Sequence, residues 1–357
     1  MKTNYLYIIL FVLFFSVPAY SQPNTGNKPF TVVSFPDFFN FDIPEPWPMW
    51  DTAVNWFFDQ VNNENPEFIL VAGDLVNGHW WDGPKCVEQM GANYYGNWKR
   101  RMASHGLKYY VAVGDHDIGD DPWPENKLSL VPDFERVFVQ NMNMPKNGPE
   151  NKKGLSYFVR QENVLFITVE TFEIIDSAVH TSVSGEQLEW FKQVLKANQD
   201  ADFIIVQGHV PVFGKPVARS SSSLMLEDST SSDFWKAMTA AGVDLYLCGE
   251  FHAVTVNEKD GIWQIVHGSS WGRKIVNTMD YLVIQCDNNE LILTMKSFPM
   301  EASGEHMWNL HKENGPLERV HIAEETMKTG PKVTGTLSIV KEDDEKSVKN
   351  ISGVFAK

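Results

Sequence analysis

Five short polar motifs hold the residues of this chain best suited to chemistry: Pro36-Asp37, Gly73-Asp74-Leu75-Val76-Asn77, Gly114-Asp115-His116-Asp117, Gly208-His209-Val210-Pro211 and Gly249-Glu250-Phe251-His252. Each follows directly on an apolar run. Carboxylates and imidazoles are the oxygen and nitrogen donors that divalent ions take, so motifs of this composition, brought to one place, would form a metal site.

The elements that must position them are readable from the same stretch of sequence. The apolar runs at 31–35, 68–72, 109–113, 203–207 and 245–248 are short, rich in β-branched or aromatic residues, and closed by Gly or Pro, which is the pattern of buried strands. Helical patterns at 50–62, 87–104, 185–197 and 231–241 alternate with them, and such alternation predicts a layered α/β domain. The second half is richer in strands, at 262–266, 281–286 and 291–298. Beyond residue 300 the apolar pattern thins; 333–340 and 350–355 alternate weakly around the charged turn Glu342-Asp343-Asp344-Glu345-Lys346, as an edge hairpin or a loosely attached tail would. The expected organisation is a signal peptide at 1–21, a linker at 22–29, one domain at 30–299 and a C-terminal extension at 300–357.

The order and loop chemistry of the five motifs resemble the calcineurin-like metallophosphoesterases, whose blocks run Asp-x-His, Gly-Asp-x-x-Asn or Asp, Gly-Asn-His-Asp or Glu, His, and Gly-His-x-His. The likeness extends from about Phe30 to Phe298: 155–158 and 164–169 resemble the family's paired strands, and 187–191 the helix before its lone His. It implies a four-layer α-β-β-α sandwich, two mixed β-sheets packed face to face with helices outside. It also implies a two-metal site in which Asp74 bridges, Asp37 and His252 complete the first metal's ligands, and His209, Asp115 and Glu250 hold the second. His116 would stand beside the metals as proton donor or transition-state stabiliser, its ring oriented by Asp117.

Three positions depart from the family pattern. Phe39 stands where Asp-x-His requires the imidazole, leaving Asn40 or Asp42 as substitutes; Asp115 replaces a neutral Asn; Glu250 replaces the first His of Gly-His-x-His. Asp37, Asp74, Asp115 and Glu250 thus place four negative charges where the usual pattern has two. Harder, oxygen-rich ligation moves preference from zinc towards manganese, magnesium, calcium or ferrous iron. The expected cofactor is one or two divalent ions of this set.

The loops beside these motifs carry aromatic weight in His79-Trp80-Trp81, Trp123 and Trp271, whose flat faces with a polar edge suit a sugar, a nucleoside or an aromatic leaving group. Arg273, two residues beyond Trp271, has the fork geometry of an anion clamp. Trp81, Trp123, Trp271 and Arg273 are therefore the candidate substrate contacts.

Residues 1–21 have a lysine near the start, an apolar run from 6 to 17 and a small-x-small ending at Ala19-Tyr20-Ser21, the form of a secretory signal. The run is short for a membrane span. Its removal leaves 29 basic residues (30 less Lys2) against 46 acidic ones. A chain so acidic offers no long-range attraction to nucleic acid or to an anionic membrane. A small-molecule or saccharide substrate and a secreted or periplasmic setting without a stable membrane anchor are expected. Cys86, Cys248 and Cys286 allow at most one internal disulfide. The leading function is hydrolysis of a small or saccharide-linked phosphate ester by direct attack of metal-bound hydroxide. The alternatives are a non-catalytic metal- or carbohydrate-binding protein on the same fold, and a hydrolase of another ester such as a sulfated glycan.

Overall fold

A computed structural model describes residues 28–38, 48–215, 222–268, 278–303, 319–343 and 345–356. The chain runs through β1 (Phe30–Phe35), α1 (Pro48–Asn63), β2 (Phe68–Val71), α2 (Pro84–His105), β3 (Tyr109–Val111), α3 (Glu125–Leu128), α4 (Val131–Met142), β4 (Tyr157–Gln161) and β5 (Val164–Thr168). A small hairpin of β6 (Phe172–Ile175) and β7 (Ala178–Thr181) leads into α5 (Gly185–Ala197), β8 (Phe203–Gln207), α6 (Asp233–Ala241), β9 (Leu245–Cys248), β10 (Thr255–Lys259) and β11 (Ile262–Val266). Then come β12 (Thr278–Cys286), β13 (Glu290–Pro299), the short pair β14 (Glu301–Ser303) and β15 (Arg319–His321), α7 (Glu324–Thr329), β16 (Lys332–Glu342) and β17 (Glu345–Gly353).

Two large mixed sheets result, a seven-stranded one in the order β17-β16-β13-β12-β1-β2-β3 and a six-stranded one in the order β10-β11-β9-β8-β5-β4. Alternate side chains of a strand point to opposite faces. On β1, Val32 joins the core between the sheets, with Phe68, Leu70 and Ile284 opposite Phe166, Ile205, Leu247 and Ile265. Its neighbour Val33 joins the outer core, where Phe57 of α1, Trp98 of α2 and Phe138 of α4 cover the seven-stranded sheet. On the far side Leu188 and Phe191 of α5 and Phe234 of α6 cover Ile167, Val206 and Tyr246. Strands buried on both faces read as unbroken apolar runs, which explains their form in the sequence. Layering is therefore helix, sheet, sheet, helix.

β1, β2 and β3 run parallel, as do β5, β8 and β9. Their carboxyl ends meet at one edge of the sandwich, the customary place for a ligand site in parallel sheets.

Helix boundaries follow local chemistry. α2 opens at Pro84, whose fixed φ and missing N–H suit a first helical position, and stops at Gly106 in the left-handed region, φ 67°. α6 is capped by Ser232, whose hydroxyl accepts the Trp235 N–H at 3.1 Å. α4 was not anticipated from the sequence. Its buried residues Val131, Phe134, Val137, Phe138 and Met142 follow helical spacing, and it packs on α2 where Gly91 leaves room for Val137.

The C-terminal segment supplies an edge hairpin: β16 pairs with β13, and Leu337, Ile339 and Phe355 enter the core between the sheets. The three cysteines are free thiols, with Cys248 and Cys286 buried. Residues 1–27, which contain the expected signal peptide, lie outside the described residues. No helix among the described residues is long and apolar enough to cross a membrane.

Candidate metal centre

The five motifs turn sharply at the ends of their strands. Asp37, Asp74, Glu250 and His252 all adopt left-handed backbone, with φ of 51°, 54°, 73° and 51°. Non-glycine residues sit there at an energetic cost, and such positions cluster at functional sites. Two glycines make the convergence sterically feasible. A Cβ on Gly114 would lie 2.1 Å from Asp74 Oδ1, and one on Gly73 would lie 2.4 Å from His209 Nδ1. Backbone bonds join the loops: Asp37 N–H donates to the Gly73 carbonyl at 3.1 Å and Gly249 N–H to the His209 carbonyl at 2.9 Å.

The structure brings Asp37, Asp74, Asp115, His209, Glu250 and His252 together, all fully buried or nearly so. They fall into two groups, Asp37 with Asp74 and His252, and Asp115 with His209 and Glu250, each with ligand atoms within 4.8 Å of one another. In the first, His252 Nε2 lies 3.6 Å from Asp37 Oδ1. In the second, His209 Nε2 lies 3.0 Å from Asp115 Oδ1 and 3.6 Å from Glu250 Oε2, and it also faces Asp74 Oδ1 at 3.5 Å. Asp74 therefore stands between the groups.

His209 donates its Nδ1–H to the Ala72 carbonyl at 2.8 Å, which turns Nε2 towards the acids, where it holds a proton in the metal-free cluster and offers a lone pair once that proton is displaced by a cation. A backbone carbonyl behind a ligating imidazole is the usual device for fixing its tautomer. Three carboxylate oxygens, Asp37 Oδ2, Asp74 Oδ2 and Asp115 Oδ2, are buried without a hydrogen-bond donor. Unpaired charge at such depth is strongly unfavourable. Burial, helped by Glu250 and Asp115, pushes Asp37 up to about 7 against the pull of His209. Asp74 is raised well above the usual carboxylate range by burial and by Asp115. Burial also pushes Asp115 upward, but His116 and His209 more than offset it and hold it below that range. The His209 imidazole, although burial opposes its charge, is raised well above its ordinary value by Asp74, Asp115, Glu250 and Asp37. Divalent cations among these oxygens would remove the imbalance, and the donor set fits hard or borderline ions.

His116 opens a 3-10 turn after Asp115 and donates its Nδ1–H to the Asn77 carbonyl at 2.7 Å. Its Nε2 faces Asp120 Oδ1 at 3.5 Å, Asp74 Oδ2 at 3.9 Å and Asp115 Oδ2 at 4.0 Å. The expectation that Asp117 orients this ring is corrected. Asp117 accepts from the amides of Gly114 at 3.0 Å and Leu75 at 3.3 Å, and from the Tyr95 hydroxyl at 3.3 Å. It ties the third motif to the second, and burial pushes it up to about 6.

Trp81 is partly exposed; its Nε1–H donates to the Gly119 carbonyl at 2.7 Å. Trp123 donates to the Ile118 carbonyl at 3.2 Å, and its ring lies against Phe172, which in turn lies 6.3 Å from the His209 ring. Both therefore flank the turn after Asp115. Trp80 belongs to the core, against Tyr94 and Phe134. Trp271, Arg273, Phe39, Asn40 and Asp42 lie outside the described residues.

Several contacts beside the site were not anticipated from the sequence. Lys127 places its ammonium 4.2 Å over the Trp81 ring. His79 Nε2 contacts Asp120 Oδ2 at 2.9 Å. The Leu224 amide donates to Glu250 Oε1 at 3.0 Å, so this acid also holds the segment that returns over the site. Asp120-Asp121, directly after the third motif, was a signal that charge counting could have found.

No curated protein sequence matches the chain. Among solved structures it is similar to a dimetal phosphatase from Danio rerio, at 12% identity over 74% of this chain and 95% of that one with a TM-score of 0.55. It is also similar to GAP50, the anchor in the inner membrane complex of Plasmodium, at 15% identity over 82% of this chain and 88% of that one with a TM-score of 0.49. At such identity the first likeness shows the fold and no more. The family description "Calcineurin-like phosphoesterase" matches residues 47–254, more than half of the chain and four of its five motifs, and the chain belongs to that family.

Proposed function

We propose that this protein is a metal-dependent phosphoesterase that hydrolyses a small or saccharide-linked phosphate ester in a secreted or periplasmic setting. One observation carries the reading: two groups of buried ligand atoms lie side by side at the carboxyl ends of the parallel strands, with Asp74 between them. Asp37, Asp74 and His252 would hold one divalent ion, and Asp115, His209 and Glu250 the other. Ions so held supply Lewis acidity to a phosphoryl oxygen and lower the pKa of a coordinated water.

The remaining residues supply orientation. His209 is fixed by the Ala72 carbonyl and His116 by the Asn77 carbonyl. Trp81, carrying Lys127 over one face, presents aromatic surface and positive charge beside an anionic cluster. That combination suits an ester with a ring in its leaving group and a phosphate to anchor.

The test is metal analysis of protein purified without an affinity metal, followed by turnover of an aryl phosphate, a bis-aryl phosphate and an aryl sulfate. Metal-dependent turnover of a phosphate, abolished by chelation and restored by manganese, is the expected result. Loaded protein that turns over the sulfate instead, or none of the three, overturns the reading in favour of a different ester or of binding without hydrolysis.

A further inference from the structure

Asp74 and Asp115 each divide their two oxygens between two imidazoles. Their Oδ1 atoms face His209 Nε2, at 3.5 and 3.0 Å. Their Oδ2 atoms face His116 Nε2, at 3.9 and 4.0 Å. Both Oδ2 atoms are buried without a hydrogen-bond donor, on side chains that are 1% exposed.

We propose that Asp74 Oδ2, Asp115 Oδ2 and His116 Nε2, with Asp120 Oδ1, form a third divalent-cation subsite, and that His116 is a metal ligand. Ligand atoms of Asp74, Asp115 and His116 lie within 4.8 Å of one another, as do those of each of the two groups already described. His116 donates its Nδ1–H to Asn77 and thereby turns Nε2, the acceptor nitrogen of the neutral ring, on the carboxylates. Acceptors facing acceptors require a cation or a proton between them. Asp120 Oδ1 stands 3.5 Å from the same nitrogen, and its other oxygen is held by His79 at 2.9 Å, an outer contact of the kind that orients a ligating carboxylate.

Asp115 makes this subsite. An Asn at this position has one acceptor oxygen, and its NH2 group binds no cation. A carboxylate offers an oxygen to each side. Asp120 and Asp121 bring further negative charge beside Asp115, so the charge of a third divalent ion is balanced by acid additional to the four carboxylates, although two of those four lend it an oxygen. The ligand is a hard or borderline divalent cation, manganese being the natural probe for a site of three oxygens and one nitrogen.

The inference rests on the reading of the cluster as a metal centre, and its test separates the two. Wild type, Asp115→Asn and His116→Asn are dialysed against Mn2+ and their bound metal counted by mass spectrometry, with circular dichroism as a check on folding. The expected result is one equivalent more in the wild type than in either variant. Imidazole 15N shifts of the wild type with and without Zn2+ give a readout that needs no variant: His116 Nε2 should move to the range of a metal-bound nitrogen. Equal metal content in folded variants, or a His116 ring that keeps a proton on Nε2 in the loaded protein, overturns the third subsite and leaves the two-group centre standing. A wild type that binds no divalent ion overturns both.

Discussion

Glu250 accepts the amide hydrogen of Leu224 through Oε1 while its Oε2 faces His209 at 3.6 Å, so one side chain fastens a loop and completes a ligand group. The two tasks are separable. Glu250→Gln keeps an acceptor for Leu224 and loses the charge; it should weaken divalent-ion affinity by at least on the order of 10- to 100-fold, judged from what even outer-shell changes do, and leave the Leu224 amide protected from hydrogen exchange. Glu250→Ala should lose both. Exchange of the Leu224 amide measured beside metal affinity decides this, and a Gln variant with wild-type affinity would show that Oε2 is no ligand.

Asp74 stands between the ligand groups, and Asp74→Asn removes one negative charge and one acceptor oxygen from both. Metal content and phosphate-ester turnover should be lost together. An Asp74→Asn protein with wild-type turnover would eliminate the metal mechanism.

His267, which belongs to neither ligand group, supplies a pH-dependent contribution to stability. It is fully buried beside Ser34, 2.6 Å from its hydroxyl, and burial lowers its pKa from 6.5 to about 4. Between those values the unfolded chain binds the proton more tightly than the folded one. Stability is therefore fully present above the unfolded value and falls as pH drops from about 6.5 to about 4, by about 3 kcal/mol at 1.36 kcal/mol per unit. Asp37 and Asp74, raised in the metal-free cluster, slope the other way, so the wild type is compared with His267→Gln by denaturant unfolding across this range. The difference between the two curves should narrow as pH falls; a constant gap would remove His267 as the source.

Gly91 faces Val137 across the α2–α4 contact, and an added Cβ would come within 2.2 Å of Val137 Cγ1. Ala gains about 1 kcal/mol over Gly in helix propensity, whereas overpacking of this severity costs about 1 to 3 kcal/mol. Gly91→Ala should therefore lower stability on balance, Val137→Ala in the same chain should return part of it, and metal content should stay unchanged. A stabilised single variant would show that α4 moves aside freely.

How much of this was legible in the sequence depends on which physical signal each part left. The strands before the motifs were readable because burial on both faces makes them continuous apolar runs, and their motifs stood out because Asp, Glu and His are unusual after such runs. α4 was missed, although Phe134, Val137 and Phe138 have helical spacing, because it lies in a polar connection between two conspicuous motifs. The role of Asp117 was misread since adjacency to His116 in sequence says nothing of direction: within a 3-10 turn successive side chains diverge, and the ring found the Asn77 carbonyl instead. Asn77, Ala72 and Leu224 act through backbone groups, which no residue type announces. Trp80 and Trp81 look alike in sequence, yet one is core and the other is rim, because the turn after Asn77 sends them to opposite sides.

The Glu250 amide donates to Asp37 Oδ1 at 3.1 Å, across 213 positions of chain. Asp37 and Asp74 follow strands of one sheet, and His252 follows a strand of the other; Asp115 likewise stands across the sandwich from His209 and Glu250. As the chain emerges during synthesis, Asp37 and Asp74 wait some two hundred residues for the Glu250 amide and the His252 imidazole that complete their group. The complete cluster exists only where both sheets have docked, and the crowding of buried acids described above comes with that docking. A cation held there would clasp the open edge of the sandwich, joining the two sheets at the end where the motifs meet.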